Sequence, residues 1–250
     1  MRVTIITVSL NSAESVEACI RSVIRQTHRE IEYISVDGRS EDGTLDVINK
    51  YRDHFAARLC EKDDGIYEAM NKGLALAGGE LVGFLNSDDV LAADDIIARV
   101  VEVVAGGRLD SCYGDIVYVD PTDSGRTIRY WKAGPFDAGN IKKGWMPPHP
   151  AFFVRRSIYQ RFGGFNLAFP VIADYEIMLR FLYKHRISSS YLPRIILRKS
   201  TGGISKPTLP NVIRNNAACH KAWIANGLRP SWKIFARKIL SKLIQLRPLP

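Results

Sequence analysis

The chain has 250 residues, of which 46% are hydrophobic and 24% are charged. This balance is typical of a globular protein with one large domain, or one domain and an appendage, and it excludes low-complexity and fibrous classes. No apolar stretch approaches the ~20 residues of a membrane-spanning helix.

Four cysteines are scattered along the chain, with no C-x-x-C pair and no His-rich partner. This distribution argues against a disulfide framework and against a zinc site, and it is typical of a reducing compartment. The amino-terminal apolar run is too short and too rich in threonine for a signal peptide. We therefore expect a cytoplasmic protein.

The net charge of +9 is unevenly distributed. Residues 1–176 carry a net charge of −6, whereas residues 177–250 contain 15 Lys and Arg and no Asp or Glu. A region without negative charge is expected to face an anionic partner, such as lipid headgroups, nucleic acid or a phosphorylated substrate.

The first half of the chain alternates predicted strands and helices. Residues 3–8 form a β-branched apolar run, and the helix after them is predicted to begin with a capping box formed by Asn11 and Glu14. A second strand at residues 31–36 is followed by a helix at residues 45–51. This alternation predicts a parallel α/β sheet.

Three consecutive predicted strands, at residues 31–36, 57–61 and 81–85, end in acidic loops. The acidic residues are Asp37, Asp63, Asp64, Asp88 and Asp89. Carboxyl ends of parallel strands meet at one edge of a sheet, where open α/β sheets bind ligands. The alternative is helix capping, but a cap needs only one acidic residue. Because Asp88 and Asp89 are adjacent, the pattern favours a divalent cation that carries a phosphate-bearing ligand.

The second half departs from this alternation. A long strand at residues 110–120 is predicted to turn at residues 122–125 into a strand at residues 127–131, which introduces antiparallel pairing. Residues 133–150 are rich in Gly, Pro and Lys, as in a loop that lines a cleft. A helix then opens at Ala173, with acidic residues in its first turn that suit the helix dipole.

The last predicted helix begins at Ser231 and is basic and amphipathic, with Trp232 near its start. Helices of this kind bind membrane surfaces. The alternative is a terminal helix packed on its own domain. The absence of acidic partners in residues 177–250 favours membrane binding.

Seven short motifs follow one another along residues 3–205. They are TVSLN at 7–11, DGRSEDGT at 37–44, DGIYEAMNKG at 64–73, FLNSDD at 84–89, GGF at 163–165, ADYE at 173–176 and GGIS at 202–205. In this order they resemble the motifs of the family 2 glycosyltransferases with the GT-A fold, especially bacterial cell-envelope polysaccharide transferases of the colanic-acid type. Each motif alone is weak, whereas the ordered set is specific.

The resemblance implies a GT-A fold, in which helices flank a mixed, mainly parallel α/β sheet. It divides the chain into a transferase domain at 1–205, with a nucleotide-binding half at about 1–105 and an acceptor half at about 106–205, and a basic helical tail at 206–250. The implied reaction is inverting transfer of a sugar from a nucleotide-sugar donor, a UDP-sugar by expectation, to an acceptor hydroxyl. The expected acceptor is a saccharide or lipid-linked molecule. The enzyme would reach it peripherally at the inner face of the plasma membrane, through residues 229–250.

Residue roles also follow from the resemblance. Asp174 aligns with the catalytic base, and Asp37 would accept a hydrogen bond from the nucleotide base. Asp88 and Asp89 would hold Mn²⁺ or Mg²⁺ against the diphosphate. The other predicted donor contacts are Thr7, Ser9, Asn11, Asp64, Lys72, Asn86, Ser87 and His149. Asn86 replaces the first carboxylate of the family's D-x-D motif, which weakens metal contact there, although its carbonyl oxygen still accepts.

The chemistry of sugar transfer is compatible with these roles. A departing nucleoside diphosphate accumulates negative charge, which a divalent cation can stabilise as a Lewis acid. Transfer passes through an oxocarbenium-like state, and one carboxylate within reach of the acceptor hydroxyl suffices as general base.

Two other functions compete with this interpretation. A sugar nucleotidyltransferase would carry a Gly-rich phosphate loop after the first strand, but residues 9–12 contain no glycine. A non-catalytic module could bind nucleotide sugars or an anionic membrane through its basic region. Nucleic acid is not an expected partner, because aromatic-interleaved basic motifs and recognition-helix signatures are absent from the sequence.

Overall fold

A computed structural model of the chain describes residues 1–120, 123, 125–142, 145–200 and 209–230. Its strands are β1 (Val3–Ser9), β2 (Ile31–Asp37), β3 (Ala57–Cys60), β4 (Leu81–Asn86), β5 (Asp89–Leu91), β6 (Ser111–Val119), β7 (Thr127–Trp131), β8 (Phe152–Arg155) and β9 (Ser189–Ser200). Its α-helices are α1 (Val16–Ile24), α2 (Thr44–Lys50), α3 (Ile66–Leu76), α4 (Ile96–Gly106), α5 (Ala138–Ile141), α6 (Arg156–Phe162), α7 (Ala173–Met178) and α8 (Leu209–Ala225). A π-helical segment, Leu179–Lys184, continues α7.

The strands of the described residues form one mixed sheet in the order β3, β2, β1, β4, β8, β6, β9, β5, with β7 beside β6. β1 pairs in parallel with β2 and β4, and β2 pairs in parallel with β3. β8 then introduces antiparallel pairing with both β4 and β6. The predicted α/β class, parallel at first and mixed later, is confirmed.

Helices cover both faces of this sheet. On one face, α3, α7 and α8 contribute Met70, Ile177 and Trp223 to a common apolar cluster. On the other face, α1 and α4 contribute Ile20 and Val100 to a second cluster. Because β1 and β4 are covered on both sides, their side chains are almost all buried, which explains their continuous apolar sequence.

The predicted capping box is wrong. α1 begins at Val16 and has no side-chain cap. Asn11 instead adopts a left-handed backbone conformation (φ 46°), which asparagine tolerates better than most residues. Its side-chain oxygen accepts a hydrogen bond from the backbone N–H of Glu41 at 3.0 Å. Asn11 therefore ties the loop after β1 to the loop after β2.

Sequence patterns do not predict β5, because three residues are too few to show a period. β5 pairs in antiparallel fashion with β9, and Asp89 lies opposite Lys199 in this pairing. Asp89 is therefore a sheet residue and does not belong to the loop after β4.

The carboxyl-terminal region is described only in part. The GGIS motif at 202–205 and the predicted membrane helix from Ser231 lie outside the described residues. Within the predicted tail, α8 packs on α7, and the indole N–H of Trp223 donates a hydrogen bond to the Tyr175 hydroxyl at 2.8 Å. None of the described helices is both long and apolar enough to cross a membrane. The domain division at 205 stays a prediction.

Candidate active site

The carboxyl ends of β1, β2 and β4 lie side by side at one edge of the sheet. Ser9 is opposite Asp37 where β1 pairs with β2, and Val8 is opposite Asn86 where β1 pairs with β4. The loops after these strands therefore emerge together, as the strand–helix alternation predicts.

Asp37 is buried at this edge, with 1% of its surface exposed. One carboxylate oxygen accepts hydrogen bonds from the hydroxyls of Ser9 and Ser40, each at 2.7 Å, and the other accepts from the backbone N–H of Ser40 at 2.7 Å. The Ser40 hydroxyl also accepts from the backbone N–H of Asn11 at 2.8 Å. Asp37 thus holds the two loops together, and its contact with a nucleotide base stays a prediction.

Lys72 closes the loop between β3 and α3. Its ammonium lies 3.0 Å from the carboxylate of Glu61 and 3.3 Å from that of Glu68. Glu68 in turn accepts a hydrogen bond from the backbone N–H of Asp64 at 2.6 Å. Gly65 then turns the chain into α3 with a φ of 135°, a conformation that only glycine adopts readily. Lys72 of α3 therefore holds the loop that carries Asp64.

Asn86, the last residue of β4, has a buried side-chain oxygen without a hydrogen-bond partner among the described residues. Buried acceptors are nearly always paired in proteins, so such an oxygen marks a place where a ligand donor can complete the bonding. The neighbouring Ser87 hydroxyl donates to the Ser12 hydroxyl at 2.7 Å, which fixes the start of the loop.

Lys199 is the residue of this edge that sequence reasoning misses. Its ammonium lies 3.1 and 3.0 Å from the two oxygens of Asp88 and 2.9 Å from Asp89. Asp89 has no exposed surface. Burial raises the pKa of Asp89 to about 6, although the charge of Lys199 opposes this shift. Burial by itself would lower the pKa of Lys199, but the negative charges of Asp88 and Asp89 have the larger effect and raise it. Lys199 is therefore charged at neutral pH, and Asp89 is mostly ionised.

Asp174 stands in the first turn of α7 and is partly exposed. The Tyr67 hydroxyl, from the first turn of α3, lies beside its carboxylate. Burial, and after it the charge of Asp174, raise the pKa of Tyr67 far above its usual value, so this hydroxyl keeps its proton. The protonated phenol of Tyr67 thus stands next to the carboxylate of Asp174.

His149 links Asp174 to the central strand. Its ring stacks on Phe84 of β4, with centroids 6.0 Å apart, and meets the edge of Phe165 at 5.3 Å. Burial lowers the pKa of His149, and the nearby charge of Asp174 only opposes this shift, so the imidazole is neutral at neutral pH. Asn86 follows Phe84 by two residues in the strand, so its side chain lies on the same face of the sheet.

Arg180 connects α7 to the Gly-Gly-Phe turn. Its guanidinium makes two 3.0 Å contacts with the carboxylate of Glu176 and donates to the carbonyls of Phe162, Gly163 and Gly164. The turn leads into Phe165, whose ring stacks on that of Tyr67 with centroids 5.5 Å apart. The GGF and ADYE motifs therefore act together, because one arginine fixes both.

The sequence profile described as Glycosyl transferase family 2 matches residues 4–163, more than half of the chain. The chain belongs to this family. It is 32% identical over 207 residues to PGL/p-HBAD biosynthesis glycosyltransferases of Mycobacterium bovis and Mycobacterium tuberculosis, a match that covers 81% of this chain and 78% of theirs. An uncharacterized glycosyltransferase of M. tuberculosis is 33% identical over 185 residues, which cover 71% of this chain and 68% of the relative.

Solved structures confirm the GT-A fold of this family 2 glycosyltransferase. Residues 1–349 of Staphylococcus aureus TarS, in complex with UDP, align with a TM-score of 0.71 and 17% identity over 96% of this chain and 71% of TarS 1–349. The mannosyltransferase PcManGT from Pyrobaculum calidifontis, in complex with GDP-Man and Mn²⁺, aligns with a TM-score of 0.67 and 18% identity over 98% of this chain and 72% of its own. At these identities the likeness concerns the fold alone.

The predicted residues of this glycosyltransferase fall into groups. One strand-end edge carries Ser9, Asn11, Asp37, Asn86, Ser87, Asp88 and Asp89. Asp174 and His149 form a second group with Tyr67 on the sheet face to which Asn86 points. Thr7 lies apart, because its hydroxyl is buried and pairs with the Tyr33 hydroxyl at 3.0 Å, in the cluster on the opposite face. The position of Thr7 gives no support to a donor contact.

The carboxylates predicted to hold a metal do not fit a divalent cation as they are arranged. Three oxygens of Asp88 and Asp89 already surround an ammonium, and a second cation beside it would be repelled. Within the described residues, His, Cys, Asp and Glu form no group of three or more that could ligate a metal ion. The predicted Mn²⁺ or Mg²⁺ therefore enters no step of the reaction below.

Proposed function

We propose that this glycosyltransferase transfers a sugar from a nucleoside-diphosphate sugar to an acceptor hydroxyl, with inversion at the anomeric carbon and Asp174 as the general base. The observation that carries the proposal is the proximity of the Tyr67 hydroxyl to Asp174, beside the sheet edge where the buried side-chain oxygen of Asn86 has no partner among the described residues. A positioned carboxylate and an unfilled polar edge are the two parts that the reaction requires.

The reaction needs one proton transfer and one exchange of bonds. The carboxylate of Asp174 takes the proton of the acceptor hydroxyl. The oxygen forms a bond to C1 of the sugar, while the bond from C1 to the diphosphate oxygen breaks and its electron pair leaves with the nucleoside diphosphate. Attack from the side opposite the leaving group inverts the configuration at C1.

Asn86 is proposed to bind the sugar donor. A donor hydroxyl would satisfy its side-chain oxygen, which is buried without a partner in the part of the chain that the structure describes, an unfavourable state. Neighbouring Ser87 and Asn11 belong to the same edge. UDP is the preferred nucleotide of the proposal, in line with the UDP and UDP-GlcNAc complexes of TarS, and GDP is the alternative represented by PcManGT.

The test is a donor screen with the full chain. Purified protein is incubated with UDP- and GDP-sugars and a saccharide acceptor, and release of nucleoside diphosphate is measured. We expect one donor to give acceptor-dependent release. A protein that binds a nucleotide sugar but never releases the diphosphate would be a binding module, and one without calorimetric heat at millimolar UDP or GDP would contradict donor binding altogether.

Tyr67 is proposed to position Asp174, and the Tyr67→Phe variant tests this role. The ring stack on Phe165 is kept, whereas the hydroxyl beside Asp174 is lost. We expect kcat to fall about tenfold, the effect of ~1.4 kcal/mol of lost orientation, with the KM for the donor unchanged. Tyr51→Phe is the matched control, since it removes a hydroxyl bond to Glu17 (2.6 Å) elsewhere in the fold. A higher donor KM with an unchanged kcat would assign Tyr67 to donor binding instead.

We further propose that the acceptor is lipid-linked, in glycolipid or cell-envelope polysaccharide synthesis, and that residues 229–250 bind the anionic inner face of the plasma membrane. The acid-free sequence of residues 177–250 supports this. A chain that ends at Leu228 is expected to sediment less with anionic vesicles than the full chain. Equal sedimentation of both would remove the membrane proposal.

A further inference from the structure

A lysine ammonium occupies the place where the sequence predicts a metal. Asp88 and Asp89 follow the central strand, and Lys199 reaches them from β9 with three contacts of 2.9 to 3.1 Å. The three N–H groups of an ammonium match these three oxygens in number. The two carboxylates therefore already hold a cation that belongs to the chain.

The position of Lys199 is set by pairing on two sides. Its backbone lies opposite Asp89 of β5 and opposite Tyr118 of β6. A lysine anchored within a sheet on both sides can move only its side chain. The Lys199 side chain is mostly covered, with 22% of its surface exposed. If the ammonium left, the fully buried Asp89 would lose its counter-charge. A buried charge without a partner is strongly unfavourable, which holds the ammonium in place.

We propose that the ammonium of Lys199 takes the place of a divalent cation at the Asp88 and Asp89 carboxylates, and so sets the metal requirement of this site. The inference deepens the proposed function, since it concerns the cation of the same donor edge. The ammonium takes up the three oxygens that a dication would need and repels it at short range, so it weakens binding of a dication there. The wild-type site therefore has low affinity for Mn²⁺, and removal of Lys199 creates a metal site.

The test measures Mn²⁺ binding directly, so its outcome does not depend on transfer activity. The full chain and the Lys199→Met variant are titrated with Mn²⁺ alone, followed by electron paramagnetic resonance. Methionine keeps an unbranched side chain without charge. We expect the variant to bind Mn²⁺ on the order of tenfold or more tightly than the wild type. Equal affinities would overturn the inference.

Two controls separate this effect from a general loss of positive charge. Arg198 is exposed and precedes Lys199 in β9, so its side chain points to the other face of the sheet. The Arg198→Met variant is therefore expected to bind Mn²⁺ as the wild type does. The double variant Lys199→Met with Asp88→Asn is expected to lose the gained affinity. A gain in Arg198→Met of the same size, or a gain that survives in the double variant, would contradict the assignment to these carboxylates.

A second measurement uses only the wild-type chain, in case Lys199→Met does not fold. Acylation of Lys199 by a lysine-specific reagent is followed by mass spectrometry, with and without 1 mM Mn²⁺ (about the concentration of a metal-supplemented assay). We expect the rate of acylation of Lys199 to be the same with and without Mn²⁺. If Mn²⁺ accelerates acylation of Lys199, the metal displaces the lysine and the inference fails. The donor screen decides the proposed function separately, because it measures release of diphosphate.

Discussion

Asp174→Asn is expected to lower kcat for sugar transfer about 10²- to 10⁴-fold, the usual contribution of a general base. Asparagine keeps the shape and the polar contacts of the side chain but cannot take a proton at neutral pH. The donor KM should change little, because Asp174 belongs to the group around Tyr67 and His149, whereas Ser87 of the strand-end edge bonds to Ser12. Initial rates at saturating donor and acceptor measure the effect.

Asp46→Asn is the matched control for this variant. Asp46 is an exposed acidic residue in the first turn of α2, as Asp174 is an acidic residue in the first turn of α7. Both substitutions remove a favourable interaction with a helix dipole, worth about 0.3–1 kcal/mol. We expect a similar small drop in thermal midpoint for both and a loss of activity only in Asp174→Asn. Wild-type kcat in Asp174→Asn would refute the assigned base.

Arg180→Met is expected to lower the free energy of unfolding by about 3–5 kcal/mol, as found when one partner of a buried ion pair is removed. Glu176 keeps only 3% of its side chain exposed, so it would lose its counter-charge without gaining water. The carbonyls of Phe162, Gly163 and Gly164 would lose a donor at the same time. Urea denaturation at constant pH measures the change.

Arg99→Met provides the comparison at the surface. Arg99 also pairs with an acid four residues earlier, Asp95 at 3.2 Å, but 52% of its side chain is exposed. Exposed pairs contribute about 0–1 kcal/mol, so this variant should unfold close to the wild-type urea concentration. A loss in Arg180→Met no larger than that in Arg99→Met would show that the Glu176 pair does not hold α7.

The residues of both predictions, Asp174 and Arg180, belong to α7 and the segment that continues it. Arg180 and Glu176 fix this helix to the turn before Phe165, and Asn226 of the loop after α8 donates to Glu176 at 2.9 Å. Asp174, the proposed base, stands at the start of the helix. The stability of this ion pair and the orientation of the proposed base are therefore expected to be coupled.

Local sequence patterns predicted much of the strand-end edge. Continuous apolar runs in β1 and β4, with helical periods between strands, identify parallel α/β pairing, and pairing of that kind brings Asp37 and Asp88 to one edge. The ordered motifs identified the family that the sequence profile confirms. They also singled out Asp174, whose role as base stays a prediction.

Local sequence patterns do not predict contacts between segments that are distant along the chain. The capping box failed because Asn11 pairs with the backbone of Glu41 in another loop, a contact with no local period. Thr7 sits in a family motif, yet the strand places it on the face opposite Asn86. Alternation of side chains shows which residues share a face but does not show what lies opposite them.

The sequence by itself determined the fold class, the family and the edge at which the acidic residues gather, because these depend on the order and periodicity of residues along the chain. Only the tertiary structure decided which charges meet at that edge. Lys199 is 110 residues from Asp89 and reaches it through the pairing of β5 with β9. The physical reason is that register between strands is set by packing of the whole sheet, and register alone brings this ammonium to the two carboxylates.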